Sequence, residues 1–189
     1  MNDIIRITRA LDFAAKKHVD QRRKGERKEP YINHLAEVAN LLATATGGSD
    51  ANLIIAGLLH DTIEDQEVTY DELVANFGSD VAGLVAEVTD DKSLPKAERK
   101  RLQVETAPKK SDRARMIKIA DKTSNLNTIL ASPPPDWSAE RKREYFLWAA
   151  KVAAGCRGVN PVLEAGFDAA YRRGADLGLV WGEDHAANR

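Results

Sequence analysis

The 189-residue sequence is poor in cysteine and in long apolar runs. Its single cysteine, Cys156, allows neither an internal disulfide nor a Cys-x-x-Cys zinc or redox motif, so we expect an intracellular, cytoplasmic protein. The most apolar segment, residues 53–59, is far too short to cross a bilayer. Charged residues interrupt the amino-terminal segment at Asp3, Arg6 and Arg9, so we expect neither a secretion signal nor a membrane association.

Net charge is also nearly absent. The 28 basic and 29 acidic residues leave a formal charge of −1 at pH 7, which gives no global field to attract nucleic acid or an anionic membrane. Basic residues are in local excess only between residues 16 and 28. The length and the 43% hydrophobic content predict a single domain over residues 1–189 with a real core, and leave the oligomeric state open.

The apolar pattern predicts an all-α fold. No convincing run of alternating apolar and polar residues indicates a strand, whereas apolar residues recur at three- and four-residue steps along most of the chain. We therefore predict a compact domain of roughly eight to ten helices. Residues that can cap or start helices precede many of the predicted segments: Ser49 or Asp50, Thr69, Ser79, Ser111, Ser138 and Asn160.

The most apolar predicted helix, from Ala51 to about His60, ends in ionisable residues. His60 and Asp61 come at its end, and His34 begins an earlier predicted helix. Asp121 lies among apolar residues of a long predicted helix, where an unpaired carboxylate would be costly. Two imidazoles and two carboxylates suit a divalent transition ion such as Mn²⁺, Fe²⁺ or Zn²⁺. The alternative is that His34 caps a helix and His60 is a hydrogen-bonded core residue.

Two further groups of side chains could take part in chemistry or binding. Glu64 and Asp65 follow the candidate ligands, where a carboxylate could take a proton from a metal-activated water, although they could also form a solvated turn. Arg22, Arg23 and Lys24 could clamp phosphates or stack on a base, or simply form a solvated loop.

One face of the long helix is polar. Asn125 and Thr128 follow Asp121 at helical spacing, so all three project from the same side and predict that this face lines something polar. Three aromatic residues could stack on a ring, with core packing as the alternative for the tryptophan: Tyr31, Tyr145 and Trp148.

Four ordered motifs between about Ala10 and Gly158 resemble the HD-domain hydrolases of the RelA/SpoT alarmone family. They are PYINH at residues 30–34, LLHDTIED at 58–65, VTDDK at 88–92, and ADK with NL within 120–126. The chain is more closely similar to the stand-alone small alarmone hydrolases, including the metazoan SpoT homologues. This resemblance implies the all-helical HD fold, a bound Mn²⁺ ion, and removal of the 3′-pyrophosphate from the nucleotide (p)ppGpp to give GDP or GTP and pyrophosphate.

The resemblance also implies a role for particular residues. The metal ligands would be His34, His60, Asp61 and Asp121, and the hydrolytic carboxylates would be Glu64 and Asp65. The nucleotide contacts would be Arg23, Lys24, Tyr31, Lys96, Asn125, Thr128, Arg141 and Tyr145.

The sequence departs from the family pattern at three positions in or close to these motifs. Leu35 stands where relatives usually have proline, which affects only the start of a helix. Gln66 stands where the family usually has a small hydroxyl residue, and Asn127 where relatives often carry arginine. The substrate therefore has an alternative, which is another 2′- or 3′-phosphorylated nucleotide such as NADPH. An alternative of a different class is a nucleotide-binding sensor without turnover, which the presence of Glu64 and Asp65 argues against.

Overall fold

The computed structural model describes residues 2–176 and 178; the ends of the predicted 1–189 domain beyond these lie outside the described residues. Within this part of the chain there are ten α-helices and one short 3-10 helix, which confirms the all-α prediction. The helices are α1 (Asp3–Lys17), α2 (Ile32–Thr46), α3 (Ala51–Leu59), α4 (Thr62–Gln66), α5 (Tyr70–Phe77), α6 (Ser79–Val88), α7 (Lys96–Thr106), the 3-10 helix (Ala107–Lys109), α8 (Asp112–Ala131), α9 (Ala139–Cys156) and α10 (Pro161–Asp176). None of the described helices combines the length and the apolar character that crossing a membrane requires.

Local sequence signals set many of the helix boundaries. The side chains of Asp50, Thr69, Ser111 and Ser138 each accept a hydrogen bond from a backbone N–H in the first turn of α3, α5, α8 and α9. Helix α2 ends at Gly47, which adopts a left-handed conformation with φ of 61°. Helix α4, a five-residue helix that carries Glu64 and Asp65, was not predicted from the sequence.

Helix α3 lies at the centre of the core. All of its apolar side chains are buried, and it packs against α1, α2, α6 and α8. Burying an apolar helix on every side fixes its position, because any shift would return apolar surface to water. His60 and Asp61 follow its last residue and are therefore held at one end of this rigid element.

Helix α8 and the loop after α1 complete the scaffold of the site. The basic loop, residues 18–31, closes on itself through a bridge between Arg22 and Pro30, and Glu26 N donates to the carbonyl oxygen of Pro133 at 3.2 Å. Gly25 approaches the end of α8 so closely that a Cβ at this position would lie 2.3 Å from the carbonyl oxygen of Ser132. The basic loop is thus fixed against α8.

Candidate active site

A cavity of about 650 Å³ opens between the basic loop, α4, α7, α8 and α9. It is lined by every predicted site residue except His34, which is buried and contacts Asp121 at the floor of the cavity. Its lining carries charges of both signs. Carboxylates and His60 line it together with several lysine and arginine side chains, of which Lys122 pairs with Asp121 and Arg99 with Glu64.

Three donor atoms, one each from His34, His60 and Asp121, lie within 4.8 Å of one another. His34 Nε2 is 3.4 Å from Asp121 Oδ1, and His60 Nε2 is 3.1 Å from Asp61 Oδ2. Asp61 Oδ2 also accepts a hydrogen bond from the Tyr31 hydroxyl at 2.7 Å. Three of the four predicted ligands therefore form one cluster, although they come from α2, the end of α3 and α8, and Asp61 adjoins it at 3.7 Å from His34 Nε2 and 3.1 Å from His60 Nε2.

In both histidine rings, Nδ1 points away from this cluster and has a hydrogen-bond partner there. His60 Nδ1 is 2.8 Å from the carbonyl oxygen of Gly57, which can only accept, and His34 Nδ1 is 2.8 Å from Ser124 Oγ. Both Nε2 atoms are buried and have no hydrogen-bond partner among the described residues. Two unpartnered imidazole nitrogens facing two carboxylates form a donor set that fits a divalent transition ion.

The electrostatics of the cluster favour a cation. Burial lowers the pKa of His34; burial also acts to lower the pKa of His60, but the facing carboxylate of Asp61 outweighs it and raises that pKa to about 9. Burial acts to raise the pKa values of Asp61 and Asp121, yet both lie well below the usual range, because His60 and Lys122 respectively hold these carboxylates ionised. The two carboxylates thus stabilise positive charge at this point.

Glu64 and Asp65 are adjacent in α4 but have different partners. Glu64 Oε1 is 3.2 Å from Arg99 Nη1, and burial with the nearby charges of Asp61 and Asp90 raises the pKa of Glu64. Asp65 forms a 2.6 Å ion pair with Lys92 and accepts a 2.9 Å hydrogen bond from Gln21 Nε2. Gln66, the departure noted above, donates to Gln21 Oε1 at 2.6 Å and so holds the same glutamine.

The polar face of α8 connects the cluster to the basic loop. Asn125 Nδ2 donates to Asp121 Oδ1 at 2.6 Å. Arg23 Nη2 donates to Asn125 Oδ1 and to Thr128 Oγ1, both at 2.9 Å, and its guanidinium lies 5.5 Å from the centre of the Tyr31 ring. Arg23 is therefore ordered against α8 and is not part of a freely solvated loop.

The remaining predicted contacts are three cations and a tyrosine that line the cavity. Burial, followed by the charges of Arg141 and Lys24, lowers the pKa of Lys96, so these three cations lie close enough to repel one another. Arg141 stacks on the Trp137 ring at 4.6 Å, and Tyr145 packs edge-on against Trp148. Such a concentration of positive charge beside aromatic rings favours a nucleotide with several phosphates.

Sequence reasoning missed two buried lysines of α8. Lys122 Nζ is 2.8 Å from Asp121 Oδ2 and 4.5 Å from the centre of the Trp148 ring, and Lys118 Nζ donates to the carbonyl oxygen of Val88 at 2.7 Å. Trp148, for which core packing was the alternative, packs against the core and also lines the cavity. Two lysines four residues apart within an apolar helix were the available signal.

Comparison with known proteins places this geometry among characterised relatives. A family model described as HD domain matches residues 10–153. The guanosine-3′,5′-bis(diphosphate) 3′-pyrophosphohydrolase MESH1 of Xenopus tropicalis is 48% identical over 167 residues, or 88% of this chain and 93% of that protein. The protein of the same name from Homo sapiens is 49% identical over 163 residues, or 86% and 91% respectively. A solved structure of a metazoan orthologue of SpoT, described as hydrolysing ppGpp and acting in starvation responses, matches with a TM-score of 0.86 and 44% identity, covering 93% of this chain and 97% of that one.

Proposed function

The chain belongs to the HD-domain family, and from its likeness to the Xenopus and human pyrophosphohydrolases we propose that it hydrolyses the 3′-pyrophosphate of (p)ppGpp. The products are GDP or GTP and pyrophosphate. One observation carries the proposal: the cluster of His34, His60 and Asp121 adjoins a cavity whose lining also brings together the cations Lys24, Lys96 and Arg141. A nucleotide with one diphosphate on the 3′ oxygen and another on the 5′ oxygen of its ribose can place one at the metal cluster and the other at these cations.

We assign a divalent ion, Mn²⁺, to the cluster formed by His34, His60, Asp61 and Asp121. Mixed nitrogen and oxygen donors suit this ion, and the two Nε2 atoms would bind it, His60 releasing the ring proton that its pKa of about 9 retains near neutral pH. When bound, such an ion lowers the pKa of a water ligand and neutralises charge on a phosphoryl group.

The two carboxylates of α4 have different roles toward the attacking water. Glu64 is the general base, because burial raises its pKa toward the range in which a carboxylate accepts a proton efficiently near neutral pH. Asp65 is already held by Lys92 and Gln21, so it fixes the position of α4 and the attacking water.

Binding of the nucleotide is assigned to the other lining residues. Arg23 and Tyr31 hold the base, Asn125 and Thr128 contact the ribose side, and Tyr145 closes the cavity wall. The cations Lys24, Lys96 and Arg141 receive the 5′-phosphates, where charge-assisted hydrogen bonds are strongest.

A product assay tests the proposal. Purified protein is stripped of metal, then incubated with ppGpp or with NADPH, with and without added Mn²⁺, and the products are separated by ion-exchange chromatography. We expect GDP and pyrophosphate from ppGpp, and only when Mn²⁺ is present. Release of phosphate from NADPH without any product from ppGpp would make NADPH the substrate in place of ppGpp. Binding of ppGpp without any product would indicate a nucleotide-binding sensor. Full activity after removal of the metal by chelation would refute the metal centre.

The substitution His60→Ala tests the ligand set. It removes one donor of the cluster, so we expect metal and activity to be lost together while the helical fold is retained, because the hydrophobic core is built without the ion. Metal content is measured by elemental analysis and helicity by circular dichroism. Metal binding equal to that of the unchanged protein would remove His60 from the ligand set.

A further inference from the structure

A chain of polar side chains continues from His34 on the side away from the cavity. We propose that Glu37 acts through Ser124 as a positioning residue that sets the proton position of the His34 ring. The proposal rests on the metal centre of the proposed function and adds residues to it. It involves side chains of α2 and α8 that do not line the cavity.

The direction of each hydrogen bond follows from what its partners can do. Ser124 Oγ lies 2.6 Å from Glu37 Oε2, and a carboxylate can only accept, so the single hydroxyl proton of Ser124 points to Glu37. Ser124 Oγ must then accept from His34 Nδ1, at 2.8 Å. The neutral His34 ring therefore carries its proton on Nδ1 and presents the lone pair of Nε2 to the cluster, as a metal ligand requires.

The other carboxylate oxygen of Glu37, Oε1, also accepts a hydrogen bond. Asn127 Nδ2 donates to Glu37 Oε1 at 2.8 Å, and Asn127 Oδ1 accepts a hydrogen bond from Arg173 of α10. Arg173 thus fixes the orientation of the Asn127 amide, and with it the acceptor role of Glu37. Asn127 and Ser124 each lie on α8, three residues apart, so Glu37 is held by the same helix that supplies Asp121.

His60 provides an internal comparison. Its Nδ1 is bonded to a backbone carbonyl, that of Gly57, which no side-chain substitution can reverse. His34 depends on a hydroxyl, which can either donate or accept. Of these two histidines, His34 therefore needs a further group that decides which way the hydroxyl proton points, and Glu37 is that group.

The substitution Glu37→Gln tests this role with little change in size. A glutamine has one acceptor and one donor, so with Asn127 still donating, its amino group faces Ser124 Oγ. The hydroxyl proton is then free to turn toward His34 Nδ1, which places the ring proton on Nε2 and blocks the metal position. Glu105→Gln is the matched control, because Glu105 is exposed on α7 and outside the cavity lining.

Two measurements on the full chain decide the question. In the metal-free protein, long-range ¹H–¹⁵N correlation spectra report the proton position of each of the four histidines, and His34→Asn assigns the His34 signals. Mn²⁺ titration calorimetry reports affinity. We expect a Nδ1 proton on His34 in the unchanged protein and in Glu105→Gln. In Glu37→Gln we expect a mixed or Nε2 proton and a loss of Mn²⁺ affinity of about 10- to 100-fold.

The outcomes separate this proposal from the proposed function. A Nδ1 proton on His34 in Glu37→Gln, or Mn²⁺ affinity equal to that of Glu105→Gln, would overturn the role of Glu37 even though the metal centre stands. If the unchanged protein bound no Mn²⁺, the metal centre would fail, and the spectra of the metal-free protein would still decide whether Glu37 sets the His34 proton. Thermal melting confirms that Glu37→Gln is folded, and Ser124→Ala, which removes the hydroxyl, provides a second variant with the same expected loss of affinity.

Discussion

Glu64 and Asp65 are neighbours in α4, yet their partners predict different kinetic effects. Glu64→Gln keeps the size and the hydrogen-bonding capacity of the side chain but removes its charge. We therefore expect kcat to fall by about 10²-fold or more, with metal binding unchanged. Burial, Asp61 and Asp90 raise the pKa of Glu64, so in the unchanged enzyme kcat should fall as the pH decreases through a pKa above the usual glutamate value. Rate measurements from pH 4 to 9 check both points, and an unchanged kcat in Glu64→Gln would exclude Glu64 as the base.

Arg23 and Arg27 lie in the same basic loop but in different surroundings. Arg23 bonds to Asn125 and Thr128, whereas Arg27 is exposed and lies 3.9 Å from Glu29. Arg23→Ala should raise KM for the nucleotide about tenfold, equivalent to about 1.4 kcal/mol, with a smaller effect on kcat.

Arg27→Ala is the control for this comparison and should change KM little. The two variants are compared at several salt concentrations. If KM increased equally in the two variants, and rose steeply with salt concentration in both, the loop would act through its total charge and not through a specific contact of Arg23.

At the residue scale, the sequence predicted the location of ionisable groups better than their partners. Asp121 was found because a carboxylate among apolar residues needs a partner, and His60 because it ends the most apolar helix. Ser124 and Glu37 were missed because a serine and a glutamate in helices carry no such signal. Their contact arises only when α2 packs against α8 and brings Ser124 between His34 and Glu37. The roles of the site residues stay predictions.

At the element scale, helices with a cap and a clear apolar period were predicted from local sequence. The capping aspartate of α3 and the glycine that ends α2 act within one turn, so no tertiary contact is needed to recognise them. Helix α4 has only five residues, too few to show a period of 3.6, and isolated helices of this length are unstable. It packs against α1, and its side chains bond to Gln21 and Arg99, contacts that the sequence alone does not display.

The basic loop acts as one element because Gly25 lets it approach the end of α8. Gly25→Ala would place a Cβ 2.3 Å from the carbonyl oxygen of Ser132, so the loop must move outward and carry Arg23 away from Asn125. We expect KM for the nucleotide to rise by about tenfold while Mn²⁺ affinity stays the same.

Gly83→Ala is the matched control for this loop variant. Gly83 lies inside α6 with open space around a built Cβ, so alanine should stabilise the fold by about 0.5–1 kcal/mol and leave KM unchanged. Steady-state kinetics and thermal melting check the pair. A normal KM in Gly25→Ala would show that the loop tolerates the displacement and that its close approach is not required for binding.

At the scale of the whole molecule, the metal site joins helices that are distant in the sequence. Its candidate ligands come from α2, α8 and the end of α3, and all three helices pack on one another in the core. A cation bound by all of them is lost on unfolding, so binding should stabilise the folded state as a whole. The reactivity of the single cysteine, Cys156, measures this stabilisation directly. Cys156 is fully buried at the end of α9, and burial raises the pKa of its thiol to about 11.

We therefore expect Cys156 to react with a thiol reagent at pH 8 only when the fold opens. A buried, protonated thiol is a poor nucleophile, and unfolding both exposes it and returns its pKa toward the ordinary value. Free Mn²⁺ at 100 times its dissociation constant should stabilise the native state by about 2.7 kcal/mol and slow labelling about 100-fold under conditions where refolding outpaces the reagent. In His60→Ala the same Mn²⁺ concentration should have no effect. Labelling that is fast, or equally slow with and without Mn²⁺ in the unchanged protein, would mean that Cys156 becomes accessible through a local opening of α9 that leaves the metal site intact.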